Sequence, residues 1–278
     1  IYSNAYDSVL SELTNARTMG SVPFGGRYRL IDFALSNLVN CGINKVGIIT
    51  KSNYQSLMDH IGTGKPWDLS RKRGGMFLLP PFNNSHTGMY RDRIQALRGI
   101  MRFLEQSKEE YIVLMDTNVV CNFDLNDMCR AHTESGADIT IAYHHGRAPR
   151  LDDLMTFTFE ENQKVANIAL DPKTSNPVDY AMNIILISKA LLTRLINNAV
   201  SLNQDSFVRD VIQHNLKRLN IYGYEVSGFT SVFDSLQSYY DISMSLLDPA
   251  NCQELFTRER PVYTKVRDDM PAIYGLGS

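Results

Sequence analysis

Residues Ser21–Ile43, SVPFGGRYRLIDFALSNLVNCGI, join a Pro-Phe-Gly-Gly turn and two arginines to a helix with a legible end. Gly25 and Gly26 permit a positive φ or a close backbone approach that side chains would forbid. Ile31, Ala34, Leu35 and Leu38 recur at i, i+3, i+4 and i+7, which gives the helix one apolar stripe. Gly42 then stops it. Few folds need a glycine-paired turn feeding directly into an amphipathic helix.

Alternation continues along the chain. Short apolar runs at Val46–Thr50, Met76–Leu79, Tyr111–Met115, Ile139–Tyr143, Asn183–Ile187 and Ile221–Val226 read as strands. Between them lie helical patterns: a short one capped by Asn53 and closed by Gly62, a longer one over Asp92–Ser107, and a third capped by Asp205 or Ser206 with Val208, Val211, Ile212 and Leu216 inward. Parallel strands need crossover connections, so this order predicts an α/β fold with a mostly parallel mixed sheet flanked by helices, and ligands at the carboxyl ends of the strands. Phe157–Leu170 reads as an antiparallel hairpin with Glu160–Gln163 at its tip.

Composition narrows the function. With 278 residues and 44% hydrophobic content the chain can bury a large core, and a net charge of −2 supplies no field for nonspecific nucleic-acid binding. The basic run Ser70–Arg73 reads as a solvated loop. No apolar run approaches the roughly 20 residues of a membrane span, and the first residues lack a signal-peptide pattern. Four scattered cysteines without a CxxC suit a reducing compartment. A cytoplasmic protein is expected, and a first residue other than Met suggests a fragment. Adjacent His144 and His145 face opposite ways on a strand and are poorly placed to chelate.

Taken residue by residue, the Ser21–Ile43 segment resembles PFGGKYRxIDFxLSNxxNSGI, the mark of ADP-glucose pyrophosphorylases, the glucose-1-phosphate adenylyltransferases of glycogen and starch synthesis. The run GKPWDLSRKRGG within His60–Phe82, SYYDISMSLL at Ser238–Leu247 and RPVYTKVRDDMPAIYG at Arg260–Gly275 extend the likeness, and the first of these is the wording of GlgD-type regulatory subunits. The resemblance implies a Rossmann-like nucleotidyltransferase domain over 1–256 and a linker over 257–278 toward a left-handed β-helix domain absent from this chain.

Adenylyl transfer would require cations and donors around a triphosphate. In active members of the family these come from a glycine-rich loop after the first strand, a following arginine, a lysine before the PFGG turn, and two aspartates that hold Mg²⁺. Here the loop reads Asn4-Ala5-Tyr6-Asp7-Ser8, with Val9 at the arginine position and Met19 at the lysine position. Asn118 and Val232 stand at the two metal positions. Asp116 and Asp234 lie two residues away and are candidates for rescue, but two residues along a strand displace a group by about 6.5 to 7 Å. Sugar contacts are altered at Leu170-Asp171-Pro172 and around Tyr90, where Tyr90 itself is retained as a substrate or effector contact. Arg27 and Arg29 persist, and Arg27 sits where many relatives have a lysine that meets phosphorylated effectors.

The resemblance therefore implies a non-catalytic or weakly catalytic regulatory subunit. It would need no cofactor of its own, respond to a sugar-phosphate effector, and assemble with a catalytic sister subunit as a hetero-oligomer, by resemblance a tetramer. The alternative is an active glucose-1-phosphate adenylyltransferase, which would use Mg²⁺. Nucleic acid and membrane are not expected partners.

Overall fold

A computed structural model describes residues 1–71, 74–81, 90, 92–171 and 174–266. Lys72 and Arg73 of the basic run, Phe82, Arg91, Pro172 and the 267–278 part of the expected linker lie outside the described residues.

After a single helical turn α1 (Ser11–Thr14), β1 (Pro23–Phe24) and β2 (Tyr28–Arg29) form a minimal hairpin. Gly25 and Gly26 turn it, with φ of 58° and 80°, as the paired glycines predict. The hairpin delivers the chain into α2 (Leu30–Asn40), whose N-terminus is held by the Arg29 backbone N–H donating to Asp32 Oδ2 at 3.0 Å. Ile31, Ala34, Leu35 and Leu38 are all buried in one cluster, so the apolar stripe is the packed face.

Next come β3 (Lys45–Ile49), α3 (Gln55–Ile61) and β4 (Gly75–Leu79), with β3 and β4 parallel. Asn53 is not the cap of α3: it adopts φ of 51° and its amide reaches back to the Asn15 carbonyl at 3.0 Å, so Tyr54 takes the cap position. The helix expected over Asp92–Ser107 is divided at Ile100 into α4 (Arg93–Gly99) and α5 (Met101–Glu105). The chain continues through β5 (Tyr111–Leu114), β6 (Val119–Cys121), α6 (Leu125–Ser135) and β7 (Ile139–Gly146). The predicted hairpin follows as β8 (Met155–Phe159) and β9 (Val165–Leu170), then β10 (Val178–Ser188) and α7 (Lys189–Ser201). Ser206 caps a π-helical segment, Phe207–Ile212, in which Val208, Val211 and Ile212 are buried. Last are β11 (Ile221–Glu225), β12 (Thr230–Val232), α8 (Leu236–Ser245) and α9 (Pro249–Leu255).

Tyr2 makes parallel bridges to both Ile49 and Asp116, so the first residues stitch the β3–β4 pair to β5. Beyond β5 the sheet runs through β10, β7 and β11, with β7 and β11 parallel. β10 is antiparallel to all three of its partners, β5, β7 and β8, and makes the sheet mixed. On β10, Ile185 and Ile187 enter one core cluster while Met182, Ile184 and Leu186 enter another. Burial on both faces explains its apolar run Ile184–Ile187. The β8–β9 hairpin pairs with β10 and folds over until Lys164 bridges Tyr222 of β11, which curls that end of the sheet toward closure.

Residues 257–266 have no regular structure and lie against α2. The Tyr263 N–H donates to Ser36 Oγ at 2.9 Å, and Asn40 Nδ2 donates to the Pro261 carbonyl at 3.1 Å. Among the described residues no helix is long and apolar enough to cross a membrane.

Candidate functional site

Where the strands end, three loops converge: Asn4–Ser8 after the first strand segment, Lys51–Ser52 after β3, and Asp116 after β5. Together with Asp92, Arg93, Asp152, Asp153, Asp205, Phe207 and Val208 they line a cleft of about 550 Å³. A carboxyl-end crevice is where an α/β sheet is expected to hold ligands.

The first loop is built from side chains rather than open backbone. Asn4 Nδ2 donates to Asp7 Oδ2 at 2.6 Å and to the Ser52 carbonyl at 3.1 Å, while its Oδ1 accepts from the Lys51 N–H at 2.7 Å. Asp7 Oδ1 accepts from the Met19 N–H at 2.7 Å. Burial pushes the Asp7 carboxyl up to about 6, and the bonds from Asn4 and Met19 pull it back only in part. Tyr6 holds φ of 63°, and its hydroxyl accepts from Asn183 Nδ2 at 2.8 Å. The loop is thus cross-linked to β3, to the Met19 turn and to β10. Its amide groups do not form an open phosphate cradle of the glycine-rich kind.

Met19 is fully buried in a cluster with Leu10, Phe24, Leu30 and Phe233, and Val9 packs against the same cluster. At these two positions the chain has core packing and no cation. Asn118 and Val232 are brought together, as neighbours on one ladder: Val232 pairs with Val119, and the Phe233 N–H donates to the Asn118 carbonyl at 2.8 Å. Neither side chain is an anion. The Asn118 amide is fully buried, and neither of its polar atoms has a hydrogen-bond partner.

Both candidate rescuers are engaged elsewhere. Asp116 is 1% exposed and its Oδ2 lies 2.9 Å from Arg93 Nη1, so an arginine occupies the carboxylate that a cation would need. Burial raises the Asp116 carboxyl above the usual carboxylate range, opposed by the Arg93 charge. Asp234 Oδ2 accepts from the Arg150 N–H at 2.7 Å and Oδ1 accepts from Ser235 Oγ at 2.9 Å. Asp234 does not line the cleft. Among the described residues no group of three His, Cys, Asp or Glu side chains is arranged to hold a metal ion. The residues present do not fit the two-carboxylate Mg²⁺ site of an active adenylyltransferase.

The remaining sequence candidates fall outside the cleft. Tyr90 is buried in the core, its ring against Gly99 of α4. Arg29 Nη1 donates to the Ser56 carbonyl at 2.6 Å and to Ser56 Oγ at 2.9 Å, tying the start of α2 to α3. Arg27 is exposed on the hairpin, its guanidinium 5.6 Å from the centre of the Tyr28 ring. His144 and His145 diverge, the first to the Val226 carbonyl and the second to Asp179. Sequence reasoning did not single out Arg93, Lys51, Asp153 or Asp205. For Arg93 the signal was present in the alternating charges of Arg91-Asp92-Arg93, immediately before an apolar helix stripe.

A family profile described as nucleotidyl transferase matches residues 8–234. The chain belongs to that family. It is 32% identical over 278 residues to the glycogen biosynthesis protein GlgD of Bacillus subtilis (strain 168), spanning 100% of this chain and 71% of the relative. To GlgD of Geobacillus stearothermophilus it is 35% identical, spanning 99% and 71%. The glucose-1-phosphate adenylyltransferase of Clostridium acetobutylicum is 30% identical, spanning 99% and 73%. A solved structure from Bacillus anthracis, provisionally assigned as a glucose-1-phosphate thymidylyltransferase, superposes with a TM-score of 0.70 over 89% of this chain and 94% of that one. At 16% identity it supports the fold alone. The nucleotidyl transferase fold read from the sequence is therefore the fold of this chain, with a cleft at the carboxyl ends of its strands.

Proposed function

We propose that this chain is a regulatory subunit of ADP-glucose pyrophosphorylase in glycogen biosynthesis, non-catalytic or nearly so by itself, which assembles with a catalytic sister subunit in the cytoplasm. The observation that carries this reading is the Arg93–Asp116 pair: the carboxylate nearest the lost metal position is neutralised from within the chain. Around it, Asn118 and Val232 supply no anionic ligand, and Met19 and Val9 supply no cation for a triphosphate. A subunit without turnover acts on its partner by favouring one of the partner's conformations, with couplings of about 1 to 3 kcal/mol. Arg27, exposed beside the glycine turn, is the candidate contact for a sugar-phosphate effector, since a guanidinium offers phosphate a two-pronged donor.

The test is an assay of pyrophosphate release by the full-length protein, alone and mixed with a catalytic glucose-1-phosphate adenylyltransferase, over a panel of sugar phosphates. The reading expects little release alone and a changed rate or effector response in the mixture. Robust release by the protein alone, abolished by Asp116→Asn, establishes the active-enzyme alternative instead.

A further inference from the structure

The strand that opens the chain is only two residues long, yet it lies mid-sheet. Tyr2 bridges Ile49 at the end of β3 and Asp116 just past β5, both in parallel. The Tyr2 N–H donates to the Met115 carbonyl at 2.9 Å, and the Ile1 carbonyl accepts from the Ile49 N–H at 2.8 Å. Behind Ile1 the facing edges of β3 and β5 run on without pairing to each other: among the described residues β3 has one ladder partner of its own, β4, and β5 has one, β10. A cavity of about 360 Å³ lies between them, lined by both strands along their length.

Its lining dictates what fits. The pleat turns a residue's N–H and C=O to the same side of a strand. The Gly47 carbonyl accepts from the Ile1 nitrogen at 2.8 Å, so Gly47 and Lys45 of β3 direct both groups into the cavity. The Tyr2–Met115 bond sets Met115 and Val113 to do the same from the β5 side. Two such open edges are a template for a strand between them. The walls are apolar on both faces: Ile100, Phe103 and Leu104 belong to or pack against one core cluster, and Leu38, Cys129 and Leu186 belong to or pack against the other. The Ile1 ammonium stands where a ladder amide belongs. Burial lowers it from the usual 8.0 to about 5, whereas a peptide N–H makes the same bond to Gly47 with no charge to desolvate.

We infer that this cavity is the seat of a segment of the same polypeptide joined to the Ile1 nitrogen, four apolar residues that extend the opening strand backward, parallel between β3 and β5. The register of Tyr2 opposite Ile49 and Asp116 fixes the length: the third residue before Ile1 lies opposite Lys45 and the fourth opposite Tyr111. The residue next to Ile1 bonds the Val113 carbonyl and the Met115 N–H, and the one before it bonds the Lys45 carbonyl and the Gly47 N–H. Both faces meet core, so every position is apolar. The completed strand runs directly into the Asn4–Ser8 loop that lines the cleft.

The experiment begins with the protein isolated from its own cells. Mass spectrometry of its N-terminal peptide is expected to find at least four residues joined to the Ile1 nitrogen, the nearest four all apolar; a chain that starts at Ile1, or a charged residue among those four, overturns the inference. Hydrogen exchange on the same protein, followed by NMR, is expected to show the Gly47 and Met115 amides exchanging within tenfold of the paired Ile49 amide, and faster exchange overturns it. Two extended versions of the 278-residue chain then identify the occupant. One carries Val-Ile-Val-Val before Ile1 and the other Gly-Asp-Gly-Asp, which replaces the ammonium equally but cannot bury its carboxylates. The apolar extension is expected to slow both amides at least tenfold relative to the acidic one, and a smaller difference overturns the inference. Equal protection of the unextended chain by an equimolar free Val-Ile-Val-Val peptide assigns the cavity to a strand from another molecule and overturns it too.

Discussion

Arg93 Nη1 lies 2.9 Å from Asp116 Oδ2, joining the first turn of α4 to the end of β5 beneath the cleft, with side-chain exposures of 15% and 1%. Removing one member of such a pair strands the other charge in a low-dielectric setting, and costs of about 3 to 5 kcal/mol are typical. Arg93→Met is therefore expected to lower the urea midpoint sharply. Arg93→Met with Asp116→Leu should recover much of the loss, because the stranded charge is gone. Equilibrium urea unfolding of the single and double variants measures this.

Acid should stabilise the first loop. The Asp7 carboxyl titrates near 6 in the folded chain against an ordinary 3.8, so between these values the folded state holds more proton than the unfolded state. The sign follows: the contribution of Asp7 is fully present below about pH 4, is lost as pH rises through about 6, and is level above that. Asp7→Asn is expected to flatten this part of the stability profile, seen as a smaller fall in Tm from pH 4.5 to pH 7 than in the parent.

Restoring the family's lysine at Met19 should not restore a phosphate site. Met19 is fully buried, and an ammonium placed there is desolvated without a partner. Met19→Lys is expected to be strongly destabilised or insoluble, whereas Met19→Leu conserves volume and should cost less than about 1.5 kcal/mol. Thermal unfolding of the two variants separates the outcomes.

Gly223 of β11 lies against the rings of Phe159 on β8 and Tyr143 on β7. A Cβ at this position would come within 2.4 and 2.6 Å of the Phe159 ring and 2.9 Å of the Tyr143 ring. Gly223→Ala should cost on the order of 1 to 3 kcal/mol through overpacking. Phe159→Leu in the same chain, by removing the ring, should relieve part of that cost, and a double-mutant cycle in urea reads the coupling.

The two arginines of the glycine turn should separate cleanly. Arg29→Ala loses the bonds to Ser56 that join α2 to α3, and about 1 to 3 kcal/mol of stability is expected to go with them. Arg27→Ala, on the surface, should leave the urea midpoint nearly unchanged and alter the response of the mixed enzyme to sugar phosphates. An Arg27→Ala protein with an unchanged effector response argues against Arg27 as the contact.

The sequence alone determined the order of the elements, because each depends on local chemistry. The period of 3.6 in α2, the glycine turn before it, the doubly buried runs of β7 and β10, and the Phe157–Leu170 hairpin are all readable from neighbours in the chain. Resemblance to a family motif marks Val9, Met19, Asn118 and Val232 in the sequence, and the fold places the last two beside each other on one ladder. Less was legible where distant residues compete. Asn53 was read as a cap from its type, but its amide is taken by the Asn15 carbonyl. Tyr90 carries no local mark of its burial, and the fold packs its ring against Gly99 of α4.

Only the tertiary structure decided what the cleft contains. Arg93 and Asp116 are 23 residues apart in the chain, and nothing local says that a helix start and a strand end will share one ion pair. The antiparallel insertion of β10 and the reach of the β8–β9 tip to β11 are likewise decided by which faces must be buried together. Electrostatic fields sum over everything within a few ångströms in space, whatever its separation along the chain. Composition therefore gave a nearly neutral protein, and folding gathered six aspartates into one cleft.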